Sequence, residues 1–226
     1  MNAVSDEIAI VLAGRSYTYQ LLKQVFGHEP SVHLLKTVLN EFTWEVLELF
    51  LDEECLVPYK ELFAELNKAV LADSDATISR LKSEYVYLLI GPDKLPAPPW
   101  ESVYVNKARV IFQESTLKVR KAYLEHQLLP AEYPHVADDH IAIELDFMAK
   151  LGKMCQDYFE AGDIPQTRKI LTDQRDFLQN HLLVWIDEFA QQIQNSKTHH
   201  FYPPMASLTA QLLRTDLSII EELLKE

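Results

Sequence analysis

The run Asp138-Asp139-His140, followed by Glu144, holds the residue types in this chain that could do acid–base or metal chemistry. On a helix, His140 and Glu144 share one face, so an imidazole and a carboxylate would meet as a proton-transfer pair or as two ligands of a metal ion, with Asp139 orienting the ring. An ordinary structural reading competes with this. Asp139 is a good N-cap, and carboxylates at a helix start complement its dipole. A metal-assisted hydrolase built on Asp139, His140 and Glu144 needs further ligands. His199 and His200 are adjacent, so they point to different sides of a helix, and no HExxH completes a site. The sequence also lacks GxSxG, GxxxxGK[ST] and GxGxxG, the minimum patterns for a serine nucleophile or a phosphate cradle.

The second group is aromatic. The stretch GPDKLPAPPW, residues 91–100, has four prolines and one glycine, so it is neither a helix interior nor a central strand. Pro96, Pro98, Pro99, Trp100 and Tyr104 put rigid rings where backbone pairing does not account for them. Such a surface offers apolar area at low entropy cost, the means by which peptides are commonly gripped. A loop pinned to the core by Trp100 is the ordinary alternative.

Composition narrows the partners. Thirty-four acidic residues against 21 basic give a formal charge of −13, which excludes sequence-independent nucleic-acid binding and favours a cationic partner. The excess is local: Glu41, Glu45, Glu48, Asp52, Glu53, Glu54, Glu61 and Glu65 face Lys60 alone within residues 41–65. Solvated helix faces account for most such runs. A second acidic stretch, residues 138–163, follows the aromatic loop, and the two together suit a peptide with arginines beside an apolar run. Cys55 and Cys155 are far apart and form no CxxC, which reads as two buried thiols in a reducing compartment. No apolar run reaches the ~18 residues of a membrane span, and the start MNAVSDEIAI lacks the basic residues of a secretory signal, so a cytoplasmic protein without an integral membrane segment is expected.

The elements that must position these groups are helical. Five glycines, few β-branched runs and many Leu, Glu, Ala, Lys and Gln give an all-α class. Ile8, Leu12, Tyr19, Leu22 and Phe26 predict a first amphipathic helix from an Asp6 N-cap to Gly27, with Arg15 on its apolar stripe and so paired to a carboxylate of another helix. Ser31 caps a second helix, Pro58 starts another, and Thr77 to Leu89 form a short one before the loop. Helical spacing resumes through Val110 and Tyr123, pauses at Pro130 to Pro134, restarts at Asp138 or Asp139, and continues through Trp185 and Leu213. The simplest architecture is a single globular bundle of roughly ten helices, residues 1–226 as one domain, with loop 91–100 as a hinge candidate.

Three ordered motifs are similar to those of a known family. Glu84-Tyr85-Val86-Tyr87-Leu88-Leu89-Ile90-Gly91-Pro92 with Leu95 to Tyr104 resembles the signature of the TorD/DmsD redox-enzyme maturation chaperones. So do Asp138-Asp139-His140-Ile141 leading to Glu144 and Phe147, and His181-Leu182 with Trp185, Phe189, Phe201 and Tyr202. The resemblance implies an all-α, non-enzymatic, cytoplasmic chaperone that binds the twin-arginine signal peptide of a molybdoenzyme and delays export until its cofactor is inserted. Its partners would be the leader and the apo catalytic subunit, with cofactor-insertion and export machinery beyond them. The LPAPPWESVY stretch looks closer to the DmsD branch, whose client is a dimethyl sulfoxide reductase. Carried over, the signal-peptide groove uses Tyr85, Leu88, Leu89, Pro99, Trp100 and Tyr104, completed by Asp139 and His140, with Asp139 meeting the client's arginines. No cofactor is implied beyond weak GTP binding, for which the chain has no P-loop. Asp93, Ala137, Tyr85 and Tyr104 depart from residues common in the family, which bears on client identity more than on binding.

Overall fold

Side-chain caps set where most helices of the first half begin. In the computed structural model, which describes residues 3–92, 94–106, 114–130, 136–198 and 200–225, α1 runs from Ala3–Gly27, α2 from Val32–Val38, α3 from Glu41–Phe50, α4 from Glu53–Ala72 and α5 from Ser74–Tyr85. Ser31 accepts from Leu34 N, Asn40 from Phe42 N, Asp52 from Cys55 N and Asp73 from Ala76 N, each satisfying an N–H that the first helical turn leaves unpaired. The remaining helices are α6 (Glu101–Val105), α7 (Glu114–Glu125), α8 (Ile141–Glu160), α9 (Ile164–Phe177), α10 (Leu183–Gln194) and α11 (Tyr202–Leu223). The fold is all-α, and the described residues contain no strand.

Several boundaries differ from those expected. Asp6 lies in the first turn of α1, where it complements the dipole and caps nothing. Pro58 lies inside α4, because the Asp52 cap and the acidic first turn start that helix earlier. Pro58 is on the exposed side, where water takes the carbonyl that has lost its N–H partner. Helix α8 starts at Ile141 with His140, and not Asp139, as its N-cap. Two π-helical turns, Val86–Ile90 and Leu178–Leu182, extend α5 and join α9 to α10. The first ends at Gly91, whose φ of 96° an L side chain rarely adopts and which turns the chain into the proline loop. Asp93, Val110, Pro134 and His199 lie outside the described residues.

The core is one apolar cluster that draws on nearly every helix, with α1 packed most extensively on α8. They approach closely at Gly152, where a Cβ would stand 3.3 Å from the Ser16 backbone, so a larger residue would push the pair apart. Arg15, 2% exposed, meets its expected carboxylate in Asp216 of α11. Its Nη2 also donates to Gln174 of α9 at 3.1 Å, and the Tyr19 hydroxyl donates to Asp216 at 2.6 Å, so one buried ionic knot joins α1, α9 and α11. Burial outweighs nearby charge at Cys155, whose thiol is pushed up to about 11, while Cys55 is half-buried and not fully buried as expected.

Candidate functional site

The proline loop is stitched to the start of α8. Pro99 O accepts from Ile141 N at 2.9 Å, and Glu101 N donates to Asp139 O at 3.0 Å, a two-bond antiparallel bridge centred on Trp100 and His140. The two rings meet edge to face with centroids 5.8 Å apart. Pro98 and Pro99 precede Trp100 and leave few N–H groups on the loop, and the N–H of Glu101 just after it is satisfied here.

Asp139 fixes the segment that follows Trp100. Its carboxylate is fully buried and accepts from Ser102 N at 2.8 Å and from Thr116 Oγ1 at 3.1 Å, which ties α6 to α7 and α8. Both oxygens are engaged within the fold and neither reaches the surface, where the sequence led us to expect a contact with an incoming arginine. Asp138 is equally buried, takes the Arg120 guanidinium at 2.6 Å through one oxygen, and its carbonyl accepts from Tyr123 at 2.9 Å. Sequence reasoning placed Asp139 and His140 in the site by motif. Ser102, Thr116 and Arg120, which hold the motif in place, carry no signal that a lone sequence would reveal.

His140 is half-buried. Its Nδ1 accepts from Ala142 N at 3.1 Å, so the neutral ring carries its proton on Nε2. Burial pulls its pKa down to about 4.

Behind the loop lies a carboxyl pair. Glu101 and Glu144 are 3% and 0% exposed. The Glu101 carboxylate meets His181 Nδ1 at 2.9 Å, and Glu144 accepts from Trp185 Nε1 at 3.3 Å. Burial, reinforced by the charges of Glu101 and Asp139, pushes the Glu144 carboxyl well above its ordinary range. Burial also raises Glu101, against the pull of His181. His140 and Glu144 are thus committed to capping and to this inner pair, and among the described residues no group of three or more His, Cys, Asp or Glu side chains is placed to hold a metal ion.

Of the expected groove residues, Tyr85, Leu88, Leu89 and Pro99 are buried, whereas Trp100, Tyr104 and His140 are half-buried. Tyr85 packs 6.2 Å from Tyr202, and Leu88 and Leu89 turn into the core within the first π turn, so they form the backing of the wall and not its face. The Tyr104 ring lies 5.2 Å from Trp185, with its hydroxyl donating to Gln192 at 3.2 Å. The apolar side chains that do reach solvent nearby are Tyr87, Ile90 and Val105, 41%, 60% and 41% exposed. A groove of about 520 Å³ runs past Tyr87, Gly91, Pro92 and Lys94. An extra residue per turn is what presents Tyr87 and Ile90 outward, and regular helical spacing hides it.

Residues 52–191 match the family model described as nitrate reductase delta subunit. A probable Tat proofreading chaperone DmsD of Haemophilus influenzae is 30% identical over 86% of this chain and 86% of its own length. The chaperone protein TorD of Vibrio cholerae is 25% identical over 98% of each chain, and that of Aliivibrio salmonicida 26% identical over 91% of this chain and 94% of its own. These relatives are named as chaperones, and this protein is likewise not an enzyme. The chain belongs to the nitrate reductase delta subunit family, within the TorD and DmsD group of chaperones.

Proposed function

We propose that this protein is a cytoplasmic chaperone that binds the twin-arginine leader of a molybdenum-containing reductase, of the dimethyl sulfoxide reductase type, and holds back its export until the cofactor is inserted. The observation that carries the reading is the Trp100 loop, a half-buried aromatic face locked by two backbone bonds to α8 and by the buried Asp139 carboxylate to α6. A rigid aromatic face binds the apolar run of a leader without first having to be ordered. Trp100, Tyr104 and the neighbouring Tyr87 and Ile90 contact that run, while Tyr85, Leu88, Leu89 and Pro99 support them from behind. Asp139 positions the loop. The leader's arginines are drawn by the negative field of a chain carrying −13.

The test is calorimetric titration of the purified protein with a synthetic dimethyl sulfoxide reductase leader, beside a leader in which both arginines are lysines. Saturable binding that Trp100→Ala weakens by about tenfold or more supports the reading, since interface tryptophans commonly carry that much. Absence of binding to this and to other molybdoenzyme leaders, with the protein folded, overturns it.

A further inference from the structure

The acidic helix α3 takes no part in the site above, and its surface combines charge with exposed apolar groups. Phe42 and Leu49 are 54% and 46% exposed on its outer side. Phe42 packs edge to face on Tyr17 of α1, with centroids 5.1 Å apart, and Leu49 lies 3.4 Å from where a Cβ of Gly14 would stand. Ile10, one turn before Gly14 on the same face of α1, is 59% exposed. Phe42, Leu49 and Ile10 therefore form one apolar strip along the α1 and α3 junction, about 10 Å long at 1.5 Å per helical residue. Large side chains exposed in a row mark a contact surface more often than single ones do.

Acidic residues predominate beside the strip. Glu41, Glu45 and Glu48 form an exposed ridge on α3, and none has an ion pair among the described residues. Asp6 and Glu7 are exposed at the α1 end. The basic residues before Lys60 are Arg15, Lys23 and Lys36. Arg15 is buried on Asp216 and Lys23 is bonded to Asp146, so neither neutralises the ridge. The surface already takes a cation of its own: Lys60 Nζ sits 5.4 Å above the ring of Trp44, on the far edge of the ridge, and 3.4 Å from Glu53.

We propose that the α1 and α3 face is a second docking surface, and that its occupant is a cationic amphipathic helix of a protein partner. The helix lays apolar side chains on Phe42, Leu49 and Ile10 and sets lysines or arginines along Glu41, Glu45 and Glu48. A strip of this length matches about two turns of the occupant. The surface shares no residue with the Trp100 face and does not depend on leader binding there, so both can be filled at once.

The experiment follows a fluorescently labelled leucine and lysine peptide of about 18 residues, long enough for roughly five helical turns. Its leucines fall on one face, and a second peptide of identical composition has them scattered. Ile10→Ser/Phe42→Ser/Leu49→Ser, which changes only exposed side chains, is compared with wild type, with Glu45→Gln/Glu48→Gln and with Trp100→Ala, and each variant's melting curve confirms that it is folded. The amphipathic peptide is expected to bind about tenfold tighter than the scattered one, and each multiple variant on this face to lose about tenfold. Trp100→Ala is expected to bind it like wild type. Equal binding of the two peptides overturns the proposal. So does full binding to the triple serine variant, or competition by the twin-arginine leader together with loss in Trp100→Ala, which would place the peptide on the Trp100 face. Calorimetry with the leader is run separately, so failure of leader binding leaves this result readable.

Discussion

Glu101 and His181, 80 residues apart in sequence, are joined by a buried 2.9 Å contact between a carboxylate and an imidazole nitrogen. Glu101 directly follows Trp100, and His181 lies in the π turn between α9 and α10, so this contact ties the aromatic loop to the α9–α10 junction. Removing the imidazole leaves a buried carboxylate beside Glu144 without its partner, a change that typically costs about 3–5 kcal/mol. His181→Ala is expected to lower the urea midpoint strongly, and Glu101→Gln much less, because the amide keeps a bond to His181 without a charge. Equal loss in the two variants would show that packing, and not the charge, sets the cost.

Asp139→Ala should destabilise the protein by about 2–4 kcal/mol, since it leaves the buried Ser102 N without its acceptor and removes the bond from Thr116. Leader binding should then fall by the same factor for arginine and lysine leaders, because the loop itself is loosened. Selective loss of the arginine leader at unchanged stability would instead place Asp139 in direct contact with the client.

Acid acts through His140. The folded pKa of about 4 lies below the ordinary histidine value, so the neutral ring's contribution is complete above about pH 6.5 and is lost as pH falls from there towards 4. Protonation also removes the Nδ1 acceptor that caps α8. His140→Asn retains a cap and does not titrate. Its urea midpoint should match wild type at neutral pH and exceed it near pH 5, and a variant as acid-sensitive as wild type would assign the loss to other groups.

Glu144 acts in the opposite direction. Its raised folded pKa means that the folded protein still holds a proton where the unfolded chain has released it, so stability falls as pH rises from the ordinary glutamate value through the raised one. Glu144→Gln keeps an acceptor for Trp185 Nε1 and removes the titration. Melting temperatures of variant and wild type should coincide near the ordinary glutamate value, about pH 4.3, and separate in the variant's favour with increasing pH. A variant that melts lower at alkaline pH would contradict the assignment.

How far these features could be read in the sequence depends on their range. The all-α class, the helix starts at Ser31, the break at residues 91–100 and the buried partner of Arg15 follow from local spacing and from the cost of an unpaired charge, and all are present. The depth of the site was not legible. Asp139 sits before a helix in sequence, where capping is the natural expectation, but the segment around Trp100 pairs with residues 139–141 and turns its carboxylate towards α6. Leu88 and Leu89 look like a binding face because they are apolar beside a loop, and only the π turn shows that they point into the core. Glu101 and His181 are unremarkable singly, and a contact across 80 residues leaves no periodic trace.

The knot of Arg15 with Asp216 has a consequence in time. The two residues are 201 positions apart. While the chain is being made, the guanidinium on the first helix has no carboxylate to meet until α11 has left the ribosome. A charge that is costly to bury alone keeps α1 from settling into the core early. Closure of the bundle around α1 is thereby expected to wait for α11.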